Sequence, residues 1–160
     1  MYSTAAERPV STAPREVRGA FALWLTAVGA GAFETVLAVG RMSLDGTGSA
    51  GEIGVGLAVR LVVFTAAVFA ALRMRGGARW ARISLAVGLG VLGTASMVLQ
   101  PLGYLLDGGS PVDALARAGA LDLLFGASRT LHVGAVLTAV ALMFRPASNA
   151  YFRGRRQPVG

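Results

Sequence analysis

GAFALWLTAVGAGAFETVLAVG, residues 19–40, decides the fold. Apart from Glu34 it holds no ionisable side chain, and it reaches the ~20 residues that an α-helix needs to cross ~30 Å of hydrocarbon. The run is longer than the apolar region of a signal peptide and contains an acid, which favours an uncleaved span. Three further runs match it, at about 53–72, 83–106 and 121–144. In a chain of 160 residues with 54% apolar and only 14% charged side chains, that is far more hydrophobic surface than a soluble domain of this size buries. The expected fold class is all-α, a transmembrane up-down four-helix bundle. The expected domains are a disordered tail over 1–17, a membrane domain over 18–145 and a basic tail over 146–160.

Charge orients the bundle. All fifteen basic residues are Arg, and the net charge is +7. Arg73, Arg75, Arg79 and Arg82 fill the middle loop, and Arg145, Arg153, Arg155 and Arg156 follow the fourth span, with no acid in either segment. Arg8, Arg15 and Arg18 precede the first span beside Glu7 and Glu16, whereas the two other connections mix Arg41 with Asp45 and Glu52, and Arg117 with Asp107 and Asp113. Basic residues concentrate on the cytoplasmic side of membrane proteins, so both termini and the middle loop are expected there. The same placement argues against nucleic acid as a partner, since no aromatic residues interleave the arginines and no recognition motif is present. Ser110, Pro111 and Asp113 have the cap, first-position and third-position chemistry of a short interfacial helix.

Five polar residues inside the spans, Glu34, Arg60, Gln100, Arg129 and His132, are the candidate site. At ~1.5 Å per residue, Glu34, Arg60, Gln100 and Arg129 come out at a common depth, about 9–10 Å below the outer boundary, with His132 one turn deeper. Ionisable groups in hydrocarbon are costly and usually face the bundle interior. One reading pairs Glu34 with Arg60 as a register-fixing ion pair, with Arg129 turned towards water or Asp122. The alternative makes the layer a net-positive pocket for a carboxylate, phosphate or lipid headgroup, because arginine gives such anions bidentate hydrogen bonds. A proton path through Glu34 and His132 lacks any continuation towards the cytoplasm.

Other chemistry is thinly represented. No cysteine is present, which excludes thiol nucleophiles and thiolate metal sites, and a single His leaves little for zinc. Ser128 stands four residues before His132, yet one spacing does not make a catalytic triad. GLGVLG at 88–93 sits inside a span with no preceding strand and reads as packing rather than a phosphate loop. Small residues recur at four-residue spacing in span one (Ala22, Thr26, Ala30, Glu34, Ala38), span three (Ala86, Gly90, Thr94) and span four (Gly126, Thr130, Gly134, Thr138). Such stripes let helices approach closely in lipid, and one left unused inside the bundle is a face for a second copy.

PREVRGAFALW from Pro14 to Trp24, the Arg-only basic complement and RPASNAYF from Arg145 to Phe152 together resemble the small, uncharacterised four-span integral membrane proteins of actinobacteria. The resemblance implies this architecture and a bacterial inner membrane, and brings no catalytic or binding residue. The expectation is a protein that is not an enzyme, has no cofactor or metal, and serves as scaffold, accessory subunit or homo-oligomer beside a partner membrane protein. The alternative is binding or transport of a small anionic metabolite or lipid headgroup through the polar layer.

Overall fold

Helix accounts for all the regular structure in the computed structural model, which describes residues 12–154. Four helices are long and apolar enough to cross a membrane: α1 (Arg15–Asp45), α2 (Ala50–Arg75), α3 (Arg79–Leu106) and α5 (Ala120–Met143). Between them lies the short α4 (Pro111–Arg117), and α6 (Pro146–Gly154) follows the last span. All four spans start before the positions expected from sequence, by one residue in α5 and by three or four in α1, α2 and α3, whose first turns carry Arg15 and Glu16, Glu52, and Arg79 and Arg82, polar residues that hydropathy alone does not count. Helix α1 begins at Arg15, and the rest of the expected N-terminal tail, 1–11, lies outside the described residues.

The turns have local causes. Gly46, at φ +62°, closes α1 by donating its N–H to the Met42 carbonyl, a conformation open to glycine because it has no Cβ. Ser49 and Glu52 then form a reciprocal capping box at the start of α2, with Ser49 Oγ accepting from Glu52 N at 3.2 Å and Ser49 N donating to Glu52 Oε2 at 3.0 Å. Ser110 accepts from Asp113 N at 3.2 Å with Pro111 at the first position of α4, as the sequence predicts.

The core is concentrated at one end. Val17, Trp24 and Ala27 of α1, Ala71 and Met74 of α2, Ala81 and Leu85 of α3, and Ala139 and Met143 of α5 form one buried cluster. Helix α6 closes that end from below. Phe152 and Ser148 are buried, Ser148 Oγ donates to the Leu142 carbonyl at 2.8 Å, and Tyr151 OH donates to the Arg75 carbonyl at 3.1 Å. Trp24, near the N-terminal end of the first span, is the largest side chain buried in this core. Towards the other end the helices part, and none of the residues of α3 from Thr94 to Leu106 is buried.

Helix α3 departs from regular geometry where it passes the core. Leu85–Gly93 is π-helical, so each turn holds an extra residue. A Cβ on Gly90 would lie 2.9 Å from Val140 Cγ2 of α5, and this contact is the close approach expected of the span-three stripe. The stripes of α1 and α5 sit differently. Helix α1 buries Val17, Ala20, Trp24, Ala27, Ala30, Gly31, Glu34 and Thr35, so Ala30 and Glu34 of its stripe face in while Ala22 and Thr26 face out. On α5 the buried face is Ser128, Ala135, Val136, Ala139 and Met143, and Gly126, Thr130, Gly134 and Thr138 are all exposed.

Candidate functional site

Above the core the helices enclose two adjoining cavities. The first, about 250 Å³, takes Glu34 and Thr35 from α1, Arg60 and Phe64 from α2, Ser96 and Met97 from α3, and Phe125, Arg129 and His132 from α5. The second, about 270 Å³, shares Arg60, Phe64, Ser96, Met97 and His132, and runs down between apolar side chains to Trp24, Ala67 and Val136. A polar chamber therefore opens beside an apolar one, with Arg60 and His132 on the boundary. Gly31 makes room at this junction, since a Cβ there would stand 3.1 Å from both His132 Cε1 and Phe64 Cε1.

Glu34 is buried and its Oε1 lies 3.5 Å from His132 Nδ1. That separation is within ion-pair range but long for a hydrogen bond, and neither buried atom has a hydrogen-bond partner among the described residues. The sequence reading paired Glu34 with Arg60 instead. Arg60 directs Nη1 towards the Gly56 carbonyl of its own helix, at 3.5 Å, because helix rotation aims His132 rather than the Arg60 head at the carboxylate. Arg129 stacks its guanidinium over Phe125, 5.6 Å from the ring centroid, and its buried Nε has no partner. Asp122, the other acid considered for Arg129, is taken by Arg41 at 2.7 Å. Both partners are about half exposed, so the pair contributes little to stability. Ser128 Oγ donates to the Ala30 carbonyl at 3.4 Å, which ties it to α1 and not to His132.

No protein-family model, curated protein or solved structure matches the chain. The chemistry of the site therefore rests on its residues.

Of the five residues marked from sequence, the fold brings Glu34, Arg60, Arg129 and His132 to one cavity. Gln100 is exposed on α3 and does not line it. Sequence reasoning missed the walls. Phe125 stands four residues before Arg129 and Phe64 four after Arg60, a spacing that puts each aromatic on its arginine's face. Gly31 stands three residues before Glu34. The loosening of span three at Pro101, by contrast, is legible in the sequence: Pro101 has no N–H to give to the carbonyl of Met97, a cavity residue, so α3 is weakened where it forms the wall. In formal charge, one carboxylate faces two guanidiniums, leaving a surplus of one positive charge. Among the described residues, no group of three His, Asp or Glu side chains is placed to hold a metal ion.

Proposed function

We propose that the protein is a non-enzymatic multi-pass protein of the bacterial plasma membrane that binds a small amphipathic anion, its carboxylate or phosphate against Arg129 and Arg60 and its apolar body in the chamber above Trp24. The observation that carries this reading is the junction of a net-positive polar cavity with an apolar one, lined by buried polar atoms on Glu34, Arg129 and His132 that lack partners. A buried polar atom without a partner costs about 1–3 kcal/mol, and a bound anion that accepts from Arg129 Nε offsets that cost at this atom. The basic end of the bundle, with Arg73, Arg75, Arg79, Arg82 and Arg153, supports placing both termini in the cytoplasm and the cavity in the outer half of the membrane.

The test is calorimetric titration of the protein in a neutral detergent with octanoate and, in parallel, with uncharged octanol. Octanoate is expected to bind the wild type more tightly, and Arg129→Gln to weaken it by about tenfold through loss of a charge-assisted hydrogen bond, with octanol unaffected. Equal affinity for the two probes, or an unchanged variant, would sink the reading.

A second reading, a homo-oligomeric scaffold or accessory subunit, draws on the exposed small-residue stripe of α5. It also draws on the loose seating of α3, in which 6% of the most apolar window is buried against 33% for α1. The two readings concern different faces and can both hold.

A further inference from the structure

The opposite end of the bundle carries a second cluster of cations that the cavity does not use. Helix α6 folds back beneath α3, so that Asn149 Oδ1 accepts from Arg82 Nη2 and the Phe152 carbonyl accepts from Arg79 Nε at 2.9 Å. The Arg82 guanidinium is held between two rings, 4.2 Å from the centroid of Phe144 and 4.9 Å from that of Phe152. A cavity of about 340 Å³ remains, lined by Arg79, Arg82 and Arg153 with Asn149, Phe144 and Ile83. Among the described residues, no carboxylate lines it. Arg82 is only 9% exposed, and its buried Nε has no hydrogen-bond partner. Arg153 has no partner among the described residues.

Three guanidiniums drawn together without a counter-charge are unfavourable on their own. Burying a charge costs far more than burying a neutral polar group unless it is paired, and the ring contacts of Arg82 offset only part of that cost. Two of the three, Arg79 and Arg82, are held by α6, whose Asn149 is itself fixed by donation from Nδ2 to the Phe144 carbonyl at 2.9 Å, so they are in place before any ligand arrives. Arginines in a fixed fork suit an anion with several oxygens in a tetrahedral array.

We propose that this basin takes a phosphate group, with a phospholipid headgroup as its favoured source. Ile83 lines the basin and is largely exposed, which gives an acyl chain apolar surface beside the phosphodiester. Basic pockets at the ends of membrane helices bind anionic headgroups through the same combination.

Native mass spectrometry of the full chain in neutral detergent tests this, with titrations of dioleoylphosphatidylglycerol, dioleoylphosphatidylcholine and inorganic phosphate. The wild type is expected to retain phosphatidylglycerol about tenfold better than phosphatidylcholine. Arg153→Gln, which removes no internal contact, is expected to lower that retention by about tenfold at unchanged melting temperature. Arg82→Gln should lower it further where the protein still folds. Arg129→Gln, in the other cavity, should leave it unchanged. Binding of inorganic phosphate that Arg153→Gln abolishes, without preference between the lipids, would also support the site and make a soluble phosphate its source. Equal retention of the two lipids with no phosphate bound, or retention indifferent to Arg153→Gln, would overturn it, as would loss of phosphatidylglycerol in Arg129→Gln.

Discussion

Glu34 shows what a buried acid in a membrane helix requires. It is buried on the core face of α1, and the polar group that faces its carboxylate, His132 Nδ1 at 3.5 Å, comes from α5 rather than from its sequence neighbour α2. Coupling energies distinguish the two partners. A double-mutant cycle of Glu34→Gln with His132→Phe, followed by thermal unfolding in detergent, is expected to show a coupling of about 0.5–3 kcal/mol, the range for residues in contact. The cycle of Glu34→Gln with Arg60→Met, which share the cavity but make no contact, should show the smaller coupling of the two. Strong Glu34–Arg60 coupling with none to His132 would refute the arrangement seen here. The sequence marked Glu34, Arg60, Arg129 and His132 because charges in hydrocarbon are conspicuous, but residue depth supplies one coordinate of three. Rotation about each helix axis decides which heads meet, and it separates Gln100 from a layer that depth alone assigned it to.

Helices in lipid conceal their inner faces. In a soluble bundle polarity separates the buried stripe from the exposed one; here both sides of α1 and α5 are apolar, so four-residue spacing of small residues had several rotations available. The span count followed from hydropathy, and α4 from its cap chemistry. The π-helical stretch of α3 and the docked helix α6 did not, since LAVGLGVLG is apolar on every face and α6 is too short and polar to register as a span. Gly90 sets how closely α3 approaches α5. Gly90→Ala is expected to lower the melting temperature by an amount equivalent to about 1–3 kcal/mol of overpacking. Trimming the partner in the same background, with Val140→Ala, should return part of that loss by removing the Cγ2 atom that an added Cβ would strike. If Gly90→Ala proves neutral, or Val140→Ala only deepens the loss, Gly90 does not set the distance between these helices.

At the scale of the molecule, tight packing at the basic end and open packing at the other divide the work of the fold. The packed end, closed by α6, sets helix positions, and the open end leaves space for a ligand and an outer surface for neighbours. The stripe Gly126, Thr130, Gly134 and Thr138 lies on that outer surface. Thr130 and Thr138 donate to the Gly126 and Gly134 carbonyls of their own helix at 2.8 and 2.7 Å, so their hydroxyls need no external partner. A Cβ on either glycine would meet nothing within 4 Å. Replacing both by Leu should therefore leave the monomer fold intact while blocking close approach of a second helix. If two copies pair through this face, Gly126→Leu with Gly134→Leu is expected to weaken self-association in lipid nanodiscs by about tenfold, equivalent to about 1.4 kcal/mol. Chemical crosslinking and native mass spectrometry at matched density would measure it. A wild type that is monomeric at membrane density, or a double variant that associates equally well, would rule this face out. Octanoate affinity measured on the same variant separates assembly from binding, because its cavity lies on the inner face of α5 and should be unaffected.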